Sequence, residues 1–538
     1  MKRSIQDSAQ VLVIGAGPSG LAIAIELGRR GVSCLVVERN VRAGWAPRAK
    51  TTHTRTREHL RRWGIADRLV EASPFGIEYK TDVVFTTRLS GFEICRFEWA
   101  LGCEPIRDER FAEHSQWIPQ YKLERVLRAY AETLPGVTIA FGQEFVSFTQ
   151  DETTVTTQIR EVESGAITTV RSDFLIGADG ARSAVRTAIG AKMEGQYGLA
   201  RHYNTIFRAP GLKEAHKLGD AIMIWQINRD HPSILGPMDV DDLWYFGPAV
   251  PPNVTYTPDQ MSDLIREATG IDLPYEILSA EEWVASALIA DKYTAGRAFL
   301  IGDACHLHPP FGGYGMNMGI HDGVDLGWKI AASLNGWGGN GLLASYEVER
   351  RPVHEFVIAE AKANHSVLPK QLFAESMEED SEQGAAVRER IAQSIRETKR
   401  QEFYSLGVML GYRYQGSPLI TYETHDTWAW EREFVPSAAP GCRAPHHWLE
   451  DGRSLFDLFG EGFSLLVLGK PKQSDIEGAE QEAKQWGAPL AVVLLQSRLL
   501  AQKYEAPLVL IRPDQHVAWR GDRWEPGALT RAIGRRAD

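Results

Sequence analysis

The sequence predicts an α/β protein: a doubly wound parallel sheet, an antiparallel sheet layer inserted into it, and a small separate α/β unit at the C-terminal end. Three observations predict this. The chain opens strand–turn–helix–strand. Glycine-rich strand–turn–helix segments return near Gly177 and Gly302. Between them lie stretches whose apolar residues alternate with a period of two. At 538 residues the chain is also too long for one ordinary core.

The opening unit rests on Val11 to Gly15, a short apolar run of the kind buried in a parallel sheet. A helix follows, with Pro18 near its start and Gly31 after its end, and then the strand Ser33 to Arg39. From Tyr79 to Glu98 the pattern alternates around a Ser90-Gly91 turn, as a hairpin would. Residues Tyr121 to Leu134 read as helix, and Thr153 to Phe174 as a further hairpin. Alternation resumes over 200–285, in YNTIFRA, AIMIWQI and DLWYFGPAV. A glycine-rich loop then opens into a helix over Met318 to Leu334. Residues 340–410 read as mainly helical, with the acidic run MEEDSEQ as a solvated segment. From about 440 the order is strand, helix, strand, strand. The expected domains are 1–78 with 99–190 and 286–365; 79–98 with 191–285; a helical segment 366–435; and 436–538.

Composition narrows the function. The formal net charge is −11, from 59 basic and 70 acidic side chains, which argues against a nucleic-acid partner. The cysteines, Cys34, Cys95, Cys103, Cys305 and Cys442, are odd in number and never spaced C-x-x-C, so neither a disulfide framework nor a metal site is expected. The N-terminus lacks the apolar core of a signal peptide, and no run reaches ~18 apolar residues. A cytoplasmic protein without a membrane span is the expectation.

Three motifs carry chemistry. Gly15, Gly17 and Gly20 form GxGxxG between strand and helix, where the backbone can approach a pyrophosphate at a helix N-terminus. Glu38 closes the next strand, placed to accept hydrogen bonds from a ribose diol. The second motif is Asp179-Gly180 within GADGARSAVR. The third is Gly302-Asp303, followed by Pro310, Gly313, Gly315, Met316 and Asn317, where Asp303 can bind a polyol hydroxyl and helix-start N–H groups suit a developing negative charge.

Together, in this order, the motifs resemble the flavoprotein aromatic hydroxylases typified by para-hydroxybenzoate hydroxylase. PRAKTTHTRTREHLRRWG, GDACHLHPPFGGYGMN, LGYRYQGSP and PGCRAPHHWLEDGRSLFDLFG resemble the phenol, chlorophenol and hydroxybiphenyl hydroxylase branch. The resemblance implies an FAD-binding Rossmann-like domain, an antiparallel substrate domain and a thioredoxin-like C-terminal domain without redox cysteines. It implies FAD on Gly15, Gly17, Gly20, Glu38, Arg39, Arg48, Gln120 and Arg125. Asp179 and Gly180 would serve FAD and the nicotinamide donor. Gly302 and Asp303 would lie at the ribityl chain, and Gly313, Gly315, Met316 and Asn317 at the pyrimidine edge. NADH or NADPH would be co-substrate, a C4a-hydroperoxyflavin the oxygen donor, and a homodimer the family-level assembly.

One departure concerns the substrate base. The branch often has His or Asp where this chain has Lys50. A lysine serves as base only if desolvation lowers its pKa, and otherwise holds a phenolate by charge. His53 is the alternative, aimed by strand alternation to the opposite face. Pro310 matches a family proline whose carbonyl faces the substrate side of the flavin, and so counts with the cofactor residues as well as the catalytic ones. Candidate pocket residues are Met223, Trp225, Leu235, Met238, Trp244 and Phe246. The expected activity is hydroxylation of a phenolic ring ortho to its hydroxyl, using NAD(P)H and O2 and no metal. A tailoring oxygenase of an aromatic natural product, Baeyer–Villiger type included, is the alternative, and a non-catalytic flavin-binding interaction protein the remote one.

Overall fold

The computed structural model describes residues 5–41, 49–248, 254–365, 372–425 and 427–536. Seven helices build the site and its supports: α1 (Pro18–Arg29), α2 (Thr54–Arg62), α3 (Gln120–Ala131), α4 (Pro258–Thr269), α5 (Tyr314–Leu334), α6 (Asn340–His365) and α7 (Glu382–Phe403).

The parallel sheet has six strands in the order 294–295, 298–300, 174–177, 11–14, 34–38, 137–141, and only the first pair is antiparallel. Helices α1, α3 and α5 pack with the sheet into one core, to which the antiparallel meander 143–172 adds Phe145, Val155, Ile159 and Val170. Because Val11–Ile14 lies between Cys34–Glu38 and Phe174–Gly177, with Ala298–Leu300 next, the three motifs emerge side by side at the carboxyl edge of the sheet. That edge is where open parallel sheets bind ligands.

The second sheet has eight strands in the order 306–307, 276–290, 193–208, 243–248, 233–239, 223–226, 83–86, 93–97. It runs to Ala290 and gathers in His306–Leu307, beyond the expected limit of residue 285. Its two faces serve different cores, as a period of two requires. Tyr203, Phe207, Leu235, Trp244 and Phe246 pack with Met261 and Ile265 of α4. Phe85, Ile206, Trp225, Met238 and Tyr245 face the other way, toward Trp117, Phe311 and α7.

Among its described residues, the expected helical segment 366–435 is α-helical at Glu382–Phe403 and Leu406–Leu410; beyond Gly411 the described chain runs irregularly among its prolines and aromatics. The C-terminal unit has four strands in the order 490–495, 463–468, 508–511, 517–521, the first two parallel and the rest antiparallel, with helices Gln473–Trp486, Arg498–Tyr504 and Ala528–Ala532. The five cysteines are buried thiols. Among the described residues no helix is long and apolar enough to cross a membrane.

One glycine of the second sheet shapes its inner face. A Cβ at Gly236 would lie 2.3 Å from the Ile222 carbonyl and 2.9 Å from the Tyr245 ring. Glycine here lets that ring lie flat across the neighbouring strand, where its hydroxyl donates to Ile222 O at 2.8 Å. Gly236→Val is expected to lower stability by roughly 1–3 kcal/mol through overpacking. Thermal unfolding checks this, and an unchanged Tm would contradict it.

Candidate active site

At the carboxyl edge, Gly15 has φ +108°, and a Cβ there would lie 2.3 Å from the Ala178 carbonyl. A Cβ on Gly20 would lie 1.9 Å from the Gly15 carbonyl. These two glycines permit the tight turn and close packing. Gly17 differs: nothing lies within 4 Å of its Cβ position. It opens α1 without a side-chain cap, so the first-turn N–H groups after Pro18 have neither an intrahelical acceptor nor a capping side chain. Glu38 accepts from Ala16 N at 3.0 Å and from Asn40 N at 2.8 Å, which fixes a carboxylate beside that cradle. This donor set fits the pyrophosphate and ribose of FAD.

Asp179 does another task. It accepts from the Ser183 hydroxyl, from Ala184 N at 2.7 Å and from Val185 N at 3.1 Å, capping the short helix Ala184–Ala188. Burial pushes its carboxyl up, against the hydrogen bonds from Ser183 and Val185. Gly180, at φ +80°, turns the chain toward that cap.

The Gly302-Asp303 turn is anchored from beneath by Asp322. Its carboxylate accepts from Gly302 N (3.0 Å), His306 Nε2 (2.8 Å) and Arg350 Nε (2.8 Å). Burial alone would raise this acid, but His354, Arg350 and His306 outweigh it and hold Asp322 well below the usual carboxylate range. Asp303 stands half-buried at the edge itself. Sequence reasoning missed Asp322 and Arg350 as a unit.

Helix α5 begins at Tyr314, four residues before its expected start, with Gly313 at φ +68° as its uncapped N-cap. The N–H groups of Tyr314, Gly315 and Met316 therefore lack intrahelical acceptors and form the positive end. The side chain of Asn317 has a structural task of its own. Its amide donates to Thr51 O (3.0 Å) and Gly313 O (2.8 Å) and accepts from His53 N and Thr56 Oγ1, both at 2.8 Å. It staples the segment after Lys50 to the start of α5.

Lys50 and His53 diverge. Thr51–Thr52 pairs with Gln116–Trp117, and Ile118 N donates to Lys50 O at 2.8 Å. Gln120 braces the same segment, accepting from Ala49 N at 3.3 Å. Lys50 is half-buried as a residue, with its ammonium turned inward to 4.1 Å from the centre of the Tyr245 ring. Among the described residues no carboxylate pairs with it, and desolvation pushes the amine down to about 8. His53 is buried on the other side, edge-on to Tyr314 at 5.5 Å and beside Gly313. Desolvation pushes it down to about 4, with the Gly312 backbone opposing, so the ring is neutral at neutral pH.

The rest of the expected site divides as follows. Met223, Trp225 and Met238 share the inner sheet face with Tyr245. Leu235, Trp244 and Phe246 do not: they point into the α4 core, and their place is taken by Tyr245, Trp117 and Phe311, all missed. Pro310 is exposed, and its carbonyl accepts from Gly313 N at 3.2 Å, closing the loop. Arg39 is exposed, 3.8 Å from Glu144, and Arg125 is exposed over the Tyr121 ring. Arg48 lies outside the described residues.

Two family models match the chain: the FAD binding domain over residues 8–361 and the aromatic-ring hydroxylase C-terminal domain over residues 437–537. Tetracenomycin B2 monooxygenase-dioxygenase of Streptomyces olivaceus is 33% identical over 95% of this chain and 95% of its own. For 2,4-dichlorophenol 6-monooxygenase of Delftia acidovorans the identity is 30%, over 96% of each chain. The structure of the rebeccamycin biosynthetic enzyme RebC with reduced flavin matches with a TM-score of 0.91 at 32% identity, covering 99% of this chain and 100% of that one. With the glycine cradle, Glu38 and the uncapped start of α5 on one edge, these likenesses identify the chain: it belongs to the FAD-dependent aromatic-ring hydroxylases and is an FAD-dependent aromatic monooxygenase.

Proposed function

We propose that the substrate is a phenol that lies on the inner sheet face around Tyr245, that Lys50 holds its oxygen, and that hydroxylation occurs ortho to that oxygen. The observation that carries this is the inward-turned Lys50 ammonium, 4.1 Å from an aromatic ring and without a carboxylate partner among the described residues. A phenol ionises near pH ~10. An amine lowered to about 8 accepts its proton in a shielded site and, as ammonium, pairs with the phenolate formed. The phenolate is the form whose ortho carbon is electron-rich. His53, neutral, is turned away toward Gly313 and Tyr314. Tyr245 stays protonated, because burial pushes its hydroxyl up. It offers the substrate a flat surface.

When bound, FAD would supply the hydride acceptance from NAD(P)H and the O2 activation. This chain's part is to hold it. Gly15, Gly17, Gly20 and Glu38 take the ADP half, Asp303 the ribityl chain, and the N–H groups of Tyr314 to Met316 the charge at the pyrimidine edge. Trp225, Phe311, Met223 and Met238 keep water from the reacting ring. The strand order and the single parallel pair of residues 463–521 support a thioredoxin-like reading of the C-terminal unit.

Following NAD(P)H oxidation against a panel of phenols, with mass detection, should find a phenol that speeds oxidation and gains one oxygen atom. Ketones converted to esters, with every phenol inert, would overturn the reading. With a responsive phenol, kcat/KM should rise through one ionisation near 8, as Lys50 loses its proton in the free enzyme. Lys50→Met should lose that ionisation and roughly 10²-fold or more in kcat/KM, the scale of a removed general base. A Lys50→Met profile matching the unmodified enzyme would reject Lys50.

A further inference from the structure

Helix α2 is buried along Thr54, Arg55, Thr56, Arg57, Glu58 and His59, yet Leu60 is its only large apolar side chain. Apolar packing therefore cannot fix its position, and directional polar contacts must. On one side these come from α5: Asn317 binds the α2 start, and Thr56 meets His321 at 3.1 Å. On the other side they come from the C-terminal unit. Arg55 donates to Gln515 Oε1 at 2.6 Å and to the Asp514 carbonyl, and Glu58 is gripped by Arg443.

The same C-terminal loop also holds α5 and α6. Arg512 donates to both oxygens of Glu349 (2.6 and 2.9 Å), to Asp325 (3.1 Å) and to Asp514 (2.7 Å). Lys329 completes the group through Asp325 (2.7 Å) and Glu349 (2.6 Å). Gln515 sits at φ +63°, a left-handed conformation unusual outside glycine, and it is buried. Such backbone strain persists only where the surroundings enforce it. Here it delivers the amide to Arg55.

We propose that the C-terminal unit is a positioning element: Gln515 and Arg443 hold α2, and Arg512 holds α5, in the mutual register that fixes Lys50, at the Tyr245 face of the sheet, relative to the first turn of α5. This rests on the reading of Lys50 as the partner of the substrate oxygen. Lys50 stands four residues before α2, and Asn317 at the start of α5 bonds His53 N and Thr56 at the start of α2, so a shift of either helix moves Lys50 relative to the first turn of α5. Gln515 and Arg443 touch neither substrate nor flavin. They act through Arg55 and Glu58.

The test uses the FAD-loaded full chain with a responsive phenol and reads product formed per NAD(P)H consumed at saturating FAD. Gln515→Asn keeps a residue tolerant of the left-handed backbone but is too short to reach Arg55. It should keep FAD and a near-normal Tm while coupling falls several-fold. Gln515→Glu, which regains the reach to Arg55, should restore most of the coupling. Unchanged coupling in Gln515→Asn overturns the proposal, as does a loss that follows a fall in Tm and that Gln515→Glu does not restore. Lys50→Met in the same assay separates the two readings: full coupling there removes Lys50 from the substrate, whatever Gln515 shows.

Discussion

The site depends on one buried amide. Asn317 makes four hydrogen bonds that join the Thr51 strand and the start of α2, next to Lys50, to the loop that opens α5. Each is worth ~0.5–1.5 kcal/mol net, but leaving one of its buried partners unpaired costs roughly 1–3 kcal/mol. The staple is therefore worth more as a constraint than as a sum of bonds. It ties Thr51 O and His53 N, on either side of Thr52, to Gly313 O, the cap of α5. Lys50 is thereby directed to the sheet and His53 to the loop.

Desolvation then differentiates the two bases. Both lose solvation, and both shift down, but from different starting points. Lys50 arrives near 8, within reach of a phenol's proton, whereas His53 arrives near 4 and stays neutral through the working range. A neutral imidazole beside the uncapped start of α5 adds no charge that would compete with the helix end for an anion. The lysine over Tyr245 is held by a ring quadrupole rather than by a carboxylate, an attraction of ~0.5–2 kcal/mol that a bound phenolate can exceed.

Much of this is legible in the sequence, and the missed parts share a cause. Glycine motifs report local backbone demands, so Gly15, Gly20, Gly302 and Gly313 stand where their spacing places them. Trp244-Tyr245-Phe246 shows the limit. Three large aromatics in a row leave no polar residue to mark the outer face, and a one-residue slip exchanges the two faces. The α4 core takes Trp244 and Phe246, and the site takes Tyr245. Periodicity places the start of α5 too late because glycines weaken the helical pattern just where the uncapped turn is needed. The capping bonds of Asp179 and the staple of Asn317 could not be read from the sequence, because side-chain capping and stapling leave no periodic trace. The ion group around Arg512 joins residues as far apart as Asp325 and Asp514 and becomes visible only in three dimensions.

In the proposed reading, the shielded amine of Lys50 takes the substrate's proton before oxygen is transferred. A chromophoric phenol, one whose phenolate absorbs at longer wavelength than its neutral form, measures this directly when bound to the FAD-loaded enzyme near neutral pH. The account predicts a phenolate difference spectrum in the unmodified enzyme that disappears in Lys50→Met. A phenol bound in its neutral form by the unmodified enzyme would contradict it.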